Sequence, residues 1–140
     1  MMHARHVPFV NVDRLYKNHG PQLLECVAKV LAHGKVLMGP EVDQFEQLIA
    51  QRCGRKYAAA VGSCTDALFF ALTAAGVGPG DEVLVTGFSF IASVGAIIRT
   101  GARPVFVDID PEDFMMSMAD AQAKITPRTK AVLAVHLFGQ

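Results

Sequence analysis

Apolar residues recur along this chain with two rhythms, and the change falls near residue 57. Before it the spacing is helical. From Pro21 to Ala32, Leu23, Val27, Val30 and Leu31 share one helical face, and Gly34 stops the pattern. A second helix is predicted to open at Gly39-Pro40, with proline at its first position. Val42, Phe45, Leu48 and Ile49 form its apolar face, and Gly54 ends it. Residues 1–20, with Pro8, Asn18 and Gly20 breaking any pattern and Pro21 after them, read as an N-terminal arm.

Beyond Tyr57 the apolar residues come in short continuous runs. Tyr57 to Val61 is one, read as a buried strand, and a helix follows from Thr65 to about Ala75. That helix is apolar on nearly every side, which predicts burial. Gly76 to Asp81 is a turn, Glu82 to Thr86 a strand, and Phe88 to Thr100 mostly helix. Strands are also predicted for Pro104 to Ile109 and for Ala131 to Leu137, with a short helix from Asp120 to Ile125 between them. Strands without period-two alternation, separated by helices, predict a mostly parallel sheet flanked by helices on both faces. The expected organisation is therefore an arm over residues 1–20 and one α/β domain over residues 21–140.

Composition narrows the function. Of 140 residues, 51% are hydrophobic and 19% charged, enough apolar content for a sizeable core. Basic and acidic residues balance at 13 each, so no net field points to nucleic acid or to an anionic membrane. No apolar run approaches the ~20 residues that span a bilayer. Met1 to Pro8 carries no apolar signal stretch, and the three cysteines, Cys26, Cys53 and Cys64, have no paired spacing. A reduced, cytoplasmic setting is expected. The five histidines are scattered, His3 and His6 near the start and His33 at a helix end, and no metal site is read.

The segment with most chemistry is Val61-Gly62-Ser63-Cys64-Thr65-Asp66. It is a strand exit, a narrow turn and a helix start. The first N–H groups of a helix lack partners within it and sit at the positive end of its dipole. A phosphate against Ser63, Cys64 and Thr65 would find free amides and two hydroxyls. An ordinary helix cap uses the same residue types. Gly76-Val77-Gly78-Pro79-Gly80 is glycine-rich, but it follows a helix and precedes a strand, the reverse of a dinucleotide fingerprint. Phe88 and Phe90 at the next strand exit suggest a flat ring to be stacked, with one of the two rings in the core. Asp108 and Asp110 precede Pro111 and read as an Asx turn rather than a carboxylate pair. Cys64 at a helix start invites a nucleophile reading, yet no histidine base is near it in sequence. His136 ends an apolar run and reads equally as a core histidine or a catalytic group.

Taken in order, these segments resemble the DegT-type sugar aminotransferases, a family of fold-type-I pyridoxal-phosphate enzymes. The resemblance starts at Val7-Pro8-Phe9-Val10 and passes through Met38-Gly39-Pro40-Glu41-Val42 and Gly62-Ser63-Cys64-Thr65-Asp66-Ala67-Leu68. It continues in Gly78-Pro79-Gly80-Asp81-Glu82-Val83, Phe88-Ser89-Phe90-Ile91-Ala92 and Pro104-Val105-Phe106-Val107-Asp108-Ile109-Asp110. It closes with Ile125-Thr126-Pro127-Arg128-Thr129-Lys130-Ala131 and Val135-His136-Leu137-Phe138-Gly139-Gln140.

The resemblance implies the N-terminal part of the large cofactor-binding domain of such an enzyme. It places Ser63, Cys64 and Thr65 against the phosphate of pyridoxal 5'-phosphate, with Cys64 where glycine is usual. It places Phe90 against the pyridine ring, and Gly39 and Pro40 near a neighbouring subunit's active site. It implies amino transfer from glutamate to a nucleotide-linked keto-sugar, and a homo-oligomer or a C-terminal complement. The family's Schiff-base lysine and the acid against the pyridine nitrogen lie downstream of the His-Leu-Phe-Gly segment. None of Lys17, Lys29, Lys35, Lys56, Lys124 and Lys130 stands in that lysine's context, so no catalytic residue is assigned and these 140 residues alone are expected to be inactive. The alternative is a non-catalytic remnant, or a binding and assembly module that keeps the fold. Whether coding sequence with the lysine motif continues the frame discriminates between them.

Overall fold

The computed structural model describes residues 8–137 and residue 139. His3, His6, Val7, Phe138 and Gln140 lie outside the described residues. The chain divides into two compact units, one up to Ala60 and one from Val61 onward. The sequence reading instead placed a boundary after residue 20.

The first unit holds two helices, α1 (Val12–His33) and α2 (Pro40–Arg52). α1 begins nine residues before the predicted start. The Asn11 side chain accepts the Arg14 N–H at 3.0 Å, which caps the helix at that point. Gly20 and Pro21 break the helical pattern in sequence but sit inside the helix. Gly20 is buried under the ring of Tyr16, where an added Cβ would come within 2.9 Å of a ring carbon. The glycine is there for close approach, not for a turn. α2 opens as predicted, with Gly39 as N-cap and Pro40 at its first position. Of its predicted apolar face, Phe45, Leu48 and Ile49 are exposed and Val42 is half-buried.

Tyr57 to Val61 forms no strand. Tyr57 is exposed, and three consecutive alanines give the segment little β preference. The Ala60 N–H donates to Glu46 Oε1 at 2.7 Å, and Lys56 Nζ lies 5.2 Å from the centre of the Tyr57 ring.

The second unit runs α3 (Cys64–Ala74), β1 (Glu82–Thr86), α4 (Ile91–Arg99), β2 (Arg103–Val107), α5 (Met118–Lys124) and β3 (Thr129–Leu133). The strands form a parallel sheet in the order β2-β1-β3, as the continuous apolar runs predicted. β1 is central and buried at all five positions. Val83 and Val85 point to one face and pack with Ala96 and Ile97 of α4, Leu72 of α3 and Leu133. Leu84 points to the other face and packs with Val107 and with Ala121 of α5. The connection after β1 steps outward to β2, and the next steps back past β1 to β3. Equal handedness of the two crossovers puts α4 and α5 on opposite faces.

Further expectations need correction. α3 is not enclosed: Leu72 is its one buried residue and Phe70 is 52% exposed. An apolar circumference predicts burial only where enough neighbours surround the helix. The second sheet face is covered only in part, since α5 is seven residues long and Val132 stays exposed. The last strand spans Thr129–Leu133 rather than Ala131 to Leu137, because its partner β1 has only five residues to pair with.

Candidate functional site

The turn before α3 is built by one side chain. Ser63 is extended, with φ −159° and ψ 160°, and serves as the N-cap. Its Oγ accepts the Asp66 N–H at 3.1 Å, and its hydroxyl donates to Asp66 Oδ2 at 3.0 Å. The first helical bond closes from the Ala67 N–H to the Ser63 carbonyl at 3.0 Å. Cys64 and Thr65 occupy the first two helical positions, where an N–H has no acceptor within the helix. Ser63 and Cys64 are exposed and Thr65 is half-buried, so this helix start is open to solvent. Cys64 takes ordinary helical geometry, so a side chain at this position brings no backbone strain.

Asp66 has a second partner. Arg99 Nη1 donates to Asp66 Oδ1 at 3.0 Å, and its guanidinium carbon lies 4.3 Å from the centre of the Phe69 ring. The Arg99 hydrogen bond, and after it the one from Ser63, holds the Asp66 carboxyl below its ordinary value.

Phe90 is the N-cap residue of α4, with φ −85° and ψ 149°. Helix begins at Ile91, not at Phe88: Gly87 to Ser89 is a bend, in which the Ser89 N–H donates to the Gly87 carbonyl at 3.0 Å, and extended backbone is seen at Phe90. Phe90 is 70% exposed and Phe88 44%, so neither ring lies in the core, where one was expected, because the bend at Gly87 to Ser89 breaks the strand alternation that would have turned one of them inward. Phe90 lines a recess of about 300 Å³ with Ser89, Ile91, Val94 and Phe106. Phe88 turns to a different recess, beside Asp108 and Lys124, and its ring lies 5.8 Å from that of Phe114.

Topology relates these groups. α3 returns through the 75–81 turn to the start of β1, and α4 leaves from its end. Both helix N-termini therefore lie towards the carboxyl ends of the strands, the side where open α/β sheets bind ligands. α3 and α4 pack side by side on one sheet face.

The other candidates resolve differently. Asp110 Oδ1 accepts the Glu112 N–H at 2.8 Å, an Asx turn, and Asp108 Oδ1 accepts the Ile109 N–H at 2.8 Å. Both carboxylates shape a loop. His136 is exposed rather than a core residue. Gly39 and Pro40 start α2, beside a Glu41 that His33 meets at 3.3 Å. No cluster of metal-ligating side chains exists among the described residues. Gly76, with φ 75°, and Gly80 make the helix stop and turn expected of that glycine run.

Sequence reasoning missed the Asp66–Arg99 pair. A serine followed three positions on by an acid is a capping signature that could have tied Asp66 to Ser63. Arg99 stands 33 positions from Asp66, beyond any local pattern.

Residues 18–140 match the DegT/DnrJ/EryC1/StrS aminotransferase family. The chain is 41% identical over 134 residues to the pleiotropic regulatory protein of Geobacillus stearothermophilus, covering 96% of this chain and 36% of that protein. It is 44% identical over 114 residues to the UDP-2-acetamido-2-deoxy-3-oxo-D-glucuronate aminotransferase of Pseudomonas aeruginosa, covering 81% and 32% of the two. The crystal structure of NtdA from Bacillus subtilis with bound cofactor PMP superposes with a TM-score of 0.89 at 37% identity, covering 99% and 32% of the two chains. The chain thus spans about a third of the length of the relatives it matches.

Proposed function

The chain belongs to the DegT/DnrJ/EryC1/StrS aminotransferase family, and on that premise we propose that it forms the cofactor-phosphate end of a pyridoxal-phosphate-dependent sugar aminotransferase. The observation that carries the reading is the open start of α3, where Ser63 caps the helix and leaves the Cys64 and Thr65 amides free. The Bacillus subtilis neighbour holds PMP, the amino form of the same cofactor.

The donor set fits the group. Two amides at the positive end of a helix and the Thr65 hydroxyl suit a phosphate dianion. An exposed Phe90 at the same end of the sheet suits the face of a pyridine ring. When bound, pyridoxal phosphate supplies an electron sink for bond breaking at the carbon that carries the amino group. In this reading the chain's residues bind and orient: Cys64 and Thr65 fix the phosphate, and Phe90 fixes the ring plane. A nucleotide-linked keto-sugar serves as acceptor, by analogy with the Pseudomonas aeruginosa enzyme, and glutamate as amino donor, by analogy with the 3-oxo-glucose-6-phosphate:glutamate aminotransferase of Bacillus subtilis. A cytoplasmic homo-oligomer, with the residues before α1 and the Gly39-Pro40 loop at the subunit contact, completes the proposal.

Equilibrium dialysis of the chain against pyridoxal phosphate and against pyridoxal tests it. Pyridoxal phosphate is expected to bind more tightly. Thr65→Val removes a hydroxyl bonded to a charged group and is expected to weaken it about tenfold. Phe90→Ala is expected to cost both ligands about fivefold through lost stacking. Equal affinity for the two ligands, unchanged by Thr65→Val, overturns the assignment.

A further inference from the structure

The first turn of α3 holds an acid where this reading places an anion. Asp66 is the third residue of the helix, and its Oδ2 lies 3.0 Å from the Ser63 hydroxyl oxygen. An unbalanced carboxylate there would oppose a phosphate dianion at the neighbouring amides. Arg99 supplies the balance from α4, donating to Asp66 Oδ1 at 3.0 Å. Its guanidinium also lies over Phe69, one helical turn further along α3. The cation is thus anchored to α3 at two points, by a cation–π contact with Phe69 and a hydrogen bond to Asp66.

Resting on the reading of Ser63 to Thr65 as a phosphate site, we infer that Arg99 is a positioning residue for that site. It neutralises Asp66, and through Asp66 it fixes the Ser63 hydroxyl in its capping role. The Cys64 and Thr65 amides then face a dianion without a competing negative charge. Asp66 orients and Arg99 compensates, and neither is assigned a contact with the ligand.

The sign of the charge separates this role from a merely structural one. If Arg99 only braced α3 against α4, removing Asp66 as well would not help. If Arg99 compensates charge, removing both partners restores binding. The test measures dissociation constants of the full 140-residue chain for pyridoxal phosphate and for pyridoxal, in the wild type, Arg99→Gln, Asp66→Asn and the double variant. Arg99→Gln is expected to weaken pyridoxal phosphate roughly fivefold, the scale of one charge at a helix terminus, and to leave pyridoxal unchanged. The double variant is expected to return to within about twofold of wild type. The loss is expected to shrink at high salt. Should Arg99→Gln fail to fold, Asp66→Asn alone decides, and it is expected to bind pyridoxal phosphate at least as tightly as wild type. A wild-type preference for pyridoxal phosphate that Arg99→Gln leaves intact, or a double variant as weak as Arg99→Gln, overturns the inference alone. A wild type without that preference overturns the phosphate reading, and the inference falls with it.

Discussion

Glu82 opens the central strand with only 3% of its surface exposed, and its carboxylate is fully occupied. The Thr126 hydroxyl donates to it at 2.6 Å, and Arg128 donates through Nε at 3.1 Å and Nη2 at 2.8 Å. Arg103, first residue of β2, adds a cation at 3.6 Å. One side chain thus ties the starts of β1 and β2 to the loop that leads into β3. The Thr126 hydrogen bond, then those of Arg128, hold the Glu82 carboxyl below its ordinary 4.5. A carboxyl depressed in the folded state contributes stability above its unfolded value and loses it as pH falls through the folded one. Asp66, Asp120 and Glu41 are depressed as well and act with the same sign. Thermal stability is therefore expected to fall as pH drops below about 4.5, where the unfolded chain begins to take up protons that the folded carboxylates resist. Glu82→Gln is expected to lower the melting temperature at neutral pH and to flatten that acid slope. A variant with the wild-type slope would assign the pH dependence to the other carboxylates. The sequence marked Glu82 only as a strand's first residue. Its partners Thr126 and Arg128 stand 44 and 46 positions away, so nothing local announces them.

At the scale of elements, the legible features were those set by local chemistry. Pro40 at the first position of α2, Ser63 before α3 and the glycine run after it are punctuation that acts within a few residues, and each appears where it was read. Features that depend on neighbours were not legible. The run from Tyr57 to Val61 resembles a buried strand, but nothing among the described residues pairs with it, and it forms no regular structure. Gly20 and Pro21 resemble a boundary, but Tyr16 covers Gly20 and the helix continues through both. The candidate site divides in the same way, since Ser63, Cys64 and Thr65 were found from their order along the chain whereas Arg99 needed the fold. The cap itself is testable apart from any ligand. Ser63→Ala removes the acceptor for the Asp66 N–H and is expected to cost about 1 kcal/mol in denaturant unfolding. Ser63→Asn, another good capping residue, is expected to recover most of it. An alanine variant as stable as wild type would mean that the Ser63 hydroxyl does not hold the start of α3.

At the scale of the whole molecule, apolar surface is the dominant feature. Leu37, Phe90, Ile91 and Met118 are each at least 70% exposed, and Leu15, Leu24 and Leu31 of α1 are more than half exposed. An apolar cleft lined by Leu84, Met116, Met118, Ile125 and Val132 opens on the sheet face that α5 covers only in part. β2 and β3 are the two edge strands, each with one side unpaired within this sheet. Unpaired edges and contiguous apolar surface both favour association, the first through backbone hydrogen bonds and the second through burial. No helix of the described residues is long and apolar enough to cross a membrane, so a bilayer-spanning helix does not account for this surface. The chain is therefore expected to self-associate at tens of micromolar, a range in which exposed apolar surface and open strand edges drive assembly. Sedimentation velocity at several concentrations reads this directly. The expected result is a mass above 15.1 kDa that rises with concentration. Lysine or glutamate in place of Met118 and Val132 is expected to lower that mass by charging the open cleft. A concentration-independent 15.1 kDa species with cooperative unfolding would show that these residues satisfy their own core, and that the exposed apolar surface does not drive assembly.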